Sequence, residues 1–122
     1  MSAKTQPSIL VAEDEMLLAM MLSDLMANAG YRVLMAARLA KGIELAASEP
    51  IDAAILDINL AGQDSFPLAD ALSRRGIPFV FASGYGRGDV PDAYRDVAVM
   101  KKPYDIEEIE AAIATLLRAK AN

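Results

Sequence analysis

Short apolar runs alternate with longer amphipathic stretches along nearly all of this chain, and few folds accommodate that rhythm. Residues 9–12, 31–36, 51–57, 78–82 and 97–100 each have the length and composition of a buried strand. Between the first two, Leu18, Met21, Leu22, Leu25, Met26 and Ala29 recur at helical spacing over 15–29, and Gly30 sits where a C-terminal cap belongs. Residues 39–48 give a second helix, with Leu39, Ile43, Ala46 and Ala47 inward and Pro50 as its stop. Residues 65–75 give a third, stopped by Gly76. Asp105 is placed to N-cap a last helix whose apolar stripe is Ile106, Ile109, Ile113, Leu116 and Leu117, with Glu107 and Glu108 near its positive end. Five strands alternating with helices over short connections predict an α/β domain, a doubly wound parallel sheet covered on both faces. The interval 84–96 breaks the rhythm. It holds Gly84, Gly86, Gly88 and Pro91, and only 91–95 can form a helix, so the fourth helix is expected to be short or irregular.

The runs matter chemically because of where they stop. Residues 8–12 lead into Glu13 and Asp14, 53–56 into Asp57, 79–82 into Ser83, and 97–100 into Lys101, Lys102 and Pro103. Open α/β sheets bind ligands beyond the carboxyl ends of their strands, so three carboxylates, a hydroxyl and an ammonium are expected on one edge. Taken singly, each has a plain reading as a helix start, a loop cap, a turn serine or a solvated lysine. Taken together they describe a phosphoryl-transfer site. Clustered carboxylates need a cation to stay ionised, and an all-oxygen set with few protein ligands suits Mg²⁺. A carboxylate can also act as the nucleophile and form an aspartyl-phosphate, with cations and donors placed around the transferred group.

Composition narrows the chemistry further. At 122 residues the chain is expected to be one domain, 1–122, with an ordered core of about 8–118. Residues 1–7 and 119–122 are expected to be loose tails. It has no histidine, which excludes imidazole acid–base catalysis, imidazole metal ligation and a phosphohistidine of its own. It has no cysteine, which excludes disulfides and thiolate metal sites and fits a reducing cytoplasm. The apolar fraction is 54%, yet no run approaches the roughly 20 residues of a membrane span and no signal-peptide core begins the chain. A net charge of −5 argues against a nucleic-acid partner.

At these residues the chain resembles the receiver domain of bacterial two-component response regulators. The resemblance runs from Ser8 to Leu117. It rests on Leu10-Val11-Ala12-Glu13-Asp14-Glu15, Ile55-Leu56-Asp57-Ile58-Asn59-Leu60, Phe81-Ala82-Ser83-Gly84 and Lys101-Lys102-Pro103 taken jointly. It implies a flavodoxin-like sheet of strand order 2-1-3-4-5. It implies Asp57 as phosphoacceptor, Asp14 as the direct metal-binding acid, Glu13 acting through water, and the Asn59 carbonyl as a further Mg²⁺ ligand. Ser83 then stands at the switch hydroxyl and Lys102 at the lysine that contacts the phosphoryl group, with a cis peptide before Pro103. The implied partner is a histidine kinase or histidine phosphotransfer protein, and the implied state a cytoplasmic monomer or weak dimer without an output module. The domain would catalyse only its own phosphorylation and slow dephosphorylation.

Two positions depart from the family's pattern. Val99 stands where the family often has the Tyr or Phe whose rotation reports phosphorylation, and neither Tyr85 nor Tyr104 can be assumed to substitute for it. Phe81-Ala82-Ser83-Gly84-Tyr85-Gly86 is similar to a Phe-Ala-Thr-Gly-Tyr signature found in a subset lacking that aromatic. Two other readings stay open. A haloacid-dehalogenase-type phosphohydrolase also uses an Asp nucleophile, but it wants a second Asp where Asn59 stands and a cap domain for which there is no room. A degenerate receiver would bind partners without phosphorylation. The methionine-rich helix offers a docking face for a kinase, with Met21 and Met26 in the core and at most Met16 and Met20 exposed.

Overall fold

The computed structural model describes residues 6–84, 90–103 and 105–121, with side chains to 119. The elements in chain order are β1 (Ser8–Ala12), α1 (Met16–Asn28), β2 (Arg32–Ala36), α2 (Leu39–Ser48), β3 (Ala53–Asp57), β4 (Asn59–Leu60), β5 (Gln63–Asp64) and α3 (Phe66–Arg74). They continue with β6 (Phe79–Ser83), a 3₁₀ turn (Asp92–Tyr94), β7 (Val99–Lys101) and α4 (Ile106–Ala121). Five strands form one parallel sheet in the order β2-β1-β3-β6-β7. Renumbered for these five strands alone, that is the expected order 2-1-3-4-5. The remaining pair, β4 and β5, forms a two-stranded antiparallel hairpin directly after β3.

Every residue of β1, β3 and β6 is buried, which is why these strands read as unbroken apolar runs rather than alternating ones. Successive side chains still point to opposite faces. Ile9, Val11, Ile55, Val80 and Ala82 pack with Leu22 and Met26 of α1 and Ile109, Ile113 and Leu116 of α4. Leu10, Ala12, Leu56, Phe79 and Phe81 pack with Ala46 of α2 and Leu68, Ala69 and Leu72 of α3. Each large side chain so buried contributes about 1.5–3 kcal/mol, and both faces are filled.

Among the described residues between β6 and β7, the helical element is the 3₁₀ turn alone. The 3₁₀ turn sends Tyr94 inward, where its ring lies 5.8 Å from Phe81, 5.9 Å from Phe79 and 6.3 Å from Phe66. Its hydroxyl donates to Asp70 on α3. Residues 85–89, including Tyr85, Gly86 and Gly88 of the glycine-rich stretch, lie outside the described residues, as do Tyr104 and residues 1–5 and 122.

Several boundaries differ from the sequence reading. Ile51 and Asp52 precede β3 rather than open it, because the Asp52 carboxylate accepts the Ser8 N–H and the Asp52 N–H donates to the Ser8 carbonyl. Val97 and Ala98 lead into β7 as loop. The last helix runs to Ala121, so residues 119–121 are helical rather than a loose tail. Met21 is exposed, at 47%, not in the core. The buried stripe of α1 is centred on Ala19, Leu22 and Met26, and Met21 stands a third of a turn away from Leu22. Ala47 is exposed for the same reason of register beside buried Ala46, whereas Ala29 is exposed because it caps α1 beyond its last turn. No helix among the described residues is long and apolar enough to cross a membrane.

Candidate functional site

The strand ends converge as the run-ends predict. Parallel registry aligns Ala12 of β1 with Leu56 of β3, and Asp57 with Ala82 of β6. Glu13, Asp57 and Ser83 therefore leave the sheet side by side. Backbone pairing continues past the strands and fixes the loops: Glu13 N–H donates to Ala36, Ile58 N–H to Ala82, and Lys102 N–H to the Ser83 carbonyl at 2.8 Å.

Glu13, Asp14 and Asp57 each offer a carboxylate oxygen, and these atoms lie within 4.8 Å of one another. Glu13 and Asp57 are buried, whereas Asp14 is exposed. Lys102 Nζ sits between the two buried acids, donating to Glu13 Oε1 and to Asp57 Oδ2 at 2.9 Å each. The second oxygen of Glu13 accepts the Glu15 N–H at 3.0 Å, which ties it to the entry of α1. Beyond Lys102 the Lys102–Pro103 peptide is cis. Asp105 and Glu108 then exchange backbone-to-carboxylate bonds of 2.8 and 3.0 Å, a capping box that starts α4 next to the lysine.

Burial dominates the titration of Asp57 and pushes its carboxyl up to about 6, with the Lys102 hydrogen bond opposing and the Glu13 charge assisting the rise. For Lys102, burial works against the ammonium, but the hydrogen bonds to Glu13 and Asp57 outweigh it and hold the group above its ordinary value. When all are ionised, three carboxylates face one ammonium, so the cluster carries a charge of −2. That excess charge, offered by oxygen donors alone, fits a hard divalent cation.

The structure brings Glu13, Asp14, Asp57 and Lys102 into one cluster, with Ser83 buried at the end of the neighbouring strand. Asn59 stands on the hairpin just beyond Asp57, and its side-chain oxygen accepts the Gly62 N–H at 3.0 Å. One contact has no forewarning in the chain: Ala61 N–H donates to Asp14 Oδ2 at 3.1 Å. Strands of two residues carry no periodicity, and an Ala-Gly pair is a weak turn signal beside Asn-Gly. A cavity of about 260 Å³ opens beside the acids, lined by Glu13, Asp14, Met16, Ala19, Met20 and Met35 among others.

Known proteins resemble this chain in sequence and in fold. The family model of the response regulator receiver domain matches residues 9–114. Sporulation initiation phosphotransferase F of Bacillus subtilis is 24% identical over 119 residues, covering 93% of this chain and 96% of its own length. The transcriptional regulatory protein TctD of Salmonella typhimurium is 30% identical over 118 residues, and there the chain spans about half the relative's length (53%). Among solved structures, SdrG of Sphingomonas melonis is 38% identical with a TM-score of 0.80, covering 94% of this chain and 99% of that one. A receiver domain protein of Methanospirillum hungatei, 21% identical, shares the fold with a TM-score of 0.86 over 95% of this chain and 97% of its own.

Proposed function

Because the chain belongs to the response regulator receiver domain family, we propose that it accepts a phosphoryl group on Asp57 from a phosphohistidine donor, with Mg²⁺, in a two-component phosphorelay. The observation that carries this reading is the single ammonium of Lys102 held 2.9 Å from both Glu13 and Asp57 inside a three-carboxylate cluster. Its acidic partners would hold the ion: Asp14 and Asp57 directly, Glu13 through water, with the Asn59 carbonyl as a further ligand. The ion would supply charge neutralisation between carboxylate and phosphoryl oxygens.

With its carboxyl pushed up to about 6, Asp57 is mostly ionised at neutral pH and available as nucleophile. Its oxygen forms the new bond to phosphorus while the phosphorus–nitrogen bond of the donor breaks, and the imidazole leaves with the electron pair. Lys102 is already beside Asp57 and compensates the charge that builds on the phosphoryl oxygens. The Ser83 hydroxyl, at the end of the adjacent strand, donates to another of these oxygens in the product. The added charge at Asp57 biases the chain beyond Ser83 toward a second arrangement, which is the outgoing signal.

The phosphohistidine donor docks on α1. Met16 and Leu17 there are 74% and 81% exposed, Met20 and Met21 flank them, and the apolar cavity beside the acids is continuous with this face through Met16 and Met20. Met20→Glu is expected to reduce capture of the cognate kinase at least tenfold in a pull-down while phosphorylation by acetyl phosphate is unchanged. Equal capture would remove α1 as the docking face.

Turnover distinguishes this reading from a phosphohydrolase. With Mg²⁺ and acetyl phosphate, the protein is expected to take up at most one phosphoryl group per chain and release it slowly. Rapid multiple turnover of phosphate esters would contradict the receiver reading.

A further inference from the structure

The backbone of the β4–β5 hairpin is strained where it meets the acidic cluster. Its two turn residues, Ala61 and Gly62, both have positive φ, 53° and 86°. Gly62 adopts that conformation freely, but an alanine there costs on the order of 1 kcal/mol or more. Ala61 is the only non-glycine residue with positive φ among those described. Strain of this kind persists where surrounding contacts over-determine it.

Two contacts do so here. Leu60, fully buried, plugs the hairpin into the core beside α3. The Asn59 side-chain oxygen accepts the Gly62 N–H at 3.0 Å and closes the turn across its base. What the strained geometry delivers is the Ala61 N–H, aimed at Asp14 Oδ2 at 3.1 Å across 47 residues of sequence. Asp14 is exposed and lies in the loop after β1, so among the described contacts this amide is the one that fixes its carboxylate. A carboxylate oxygen of the Asp14 so held lies within 4.8 Å of carboxylate oxygens of Glu13 and Asp57.

We propose that the Ala61–Gly62 turn is a clamp that orients Asp14 toward the metal position, and that Asn59 is the positioning residue that keeps the clamp shut. The proposal rests on the metal-site reading given above. The Asn59 side chain acts through the turn, and neither it nor Ala61 touches the reacting atoms. Loss of the Asn59 amide frees Gly62 N–H, lets the alanine relax out of the left-handed region, and withdraws the hydrogen bond from Asp14.

The test is Mg²⁺ binding by calorimetry on the unphosphorylated protein, with Asp14→Ala as the reference for a lost ligand. Asn59→Ala is expected to weaken binding roughly tenfold, the usual effect of removing a group that orients a metal ligand. Its thermal unfolding reports whether the fold is retained. Adding Ala61→Gly in the Asn59→Ala background removes the strain, so the turn holds without the amide and affinity is expected to return most of the way. A purely structural role for Asn59 would lower the melting temperature and leave the affinity alone. The Ala61 amide proton resonance is expected to move in Asp14→Asn and in Asn59→Ala alike. Wild-type affinity in Asn59→Ala would overturn the clamp alone, whereas a wild type that binds no Mg²⁺ would overturn the metal-site reading beneath it.

Discussion

Asp57 is made harder to ionise by the fold that uses it, and this has a measurable sign. Its carboxyl rises from 3.8 to about 6 in the folded chain, chiefly through burial. A raised acid favours the folded state while protonated. The contribution is complete below about 3.8 and is lost as pH climbs through about 6. At pH 7 without Mg²⁺ the ionised carboxylate therefore opposes folding. Asp57→Asn keeps an oxygen for Lys102 and has no charge to bury, so it is expected to be more stable than wild type by about 1–2 kcal/mol at pH 7–8. Urea titrations across pH should show the gap closing as pH falls from about 6 to about 4, and a gap that widens toward acid would contradict the assignment. Asp57, Glu13 and Lys102 were legible in the chain because each stands at the end of an apolar run, Lys102 one residue beyond it. The Ala61 amide and the Asn59 side chain were not, because their role depends on a backbone conformation that no residue type there announces.

The strands were legible for a physical reason: β1, β3 and β6 are buried on both faces, which keeps their interiors apolar and leaves the polar Ser8, Asp57 and Ser83 at their ends. Helix α1 was less so. Its methionines and leucines surround more of the helix than the sheet covers, and the pattern alone does not say which third of the turn is left outside. Helices α2 and α3 approach closely at Gly42, where an added Cβ would stand 2.8 Å from Leu68 Cδ2. Leu68 is fully buried, so its side chain can yield only by repacking within the core. Gly42→Ala is therefore expected to destabilise by about 1–2 kcal/mol in urea unfolding, despite alanine's better helix propensity of about 1 kcal/mol. Between β6 and β7 the aromatic that packs on Phe81 comes from the 3₁₀ turn, while Val99 occupies the strand position facing Phe81 in register. Tyr94→Ala removes three ring contacts and is expected to cost about 2 kcal/mol, and Tyr94→Phe well under half of that. Equal losses in the two variants would mean that the bond to Asp70, rather than the ring, holds the turn.

Across the molecule, two cores on opposite faces of one sheet hold its carboxyl edge in register, and the register is what assembles acids from β1 and β3 with a lysine beyond β7. The architecture could be read from alternation alone, but the meaning of the edge needed the residues in combination. The 3₁₀ turn at Asp92–Tyr94 was foreseen only as a short or irregular helix, since glycine content sets what a chain permits and not what it adopts. The central claim is that this edge transfers a phosphoryl group to one carboxylate. Intact-mass spectrometry after incubation with Mg²⁺ and phosphoramidate tests it most directly, on wild type and Asp57→Asn side by side. The expected result is a single phosphoryl adduct on the wild type that needs Mg²⁺ and is absent from Asp57→Asn. An adduct of equal yield on both proteins, or none on the wild type with Mg²⁺ bound, would contradict it.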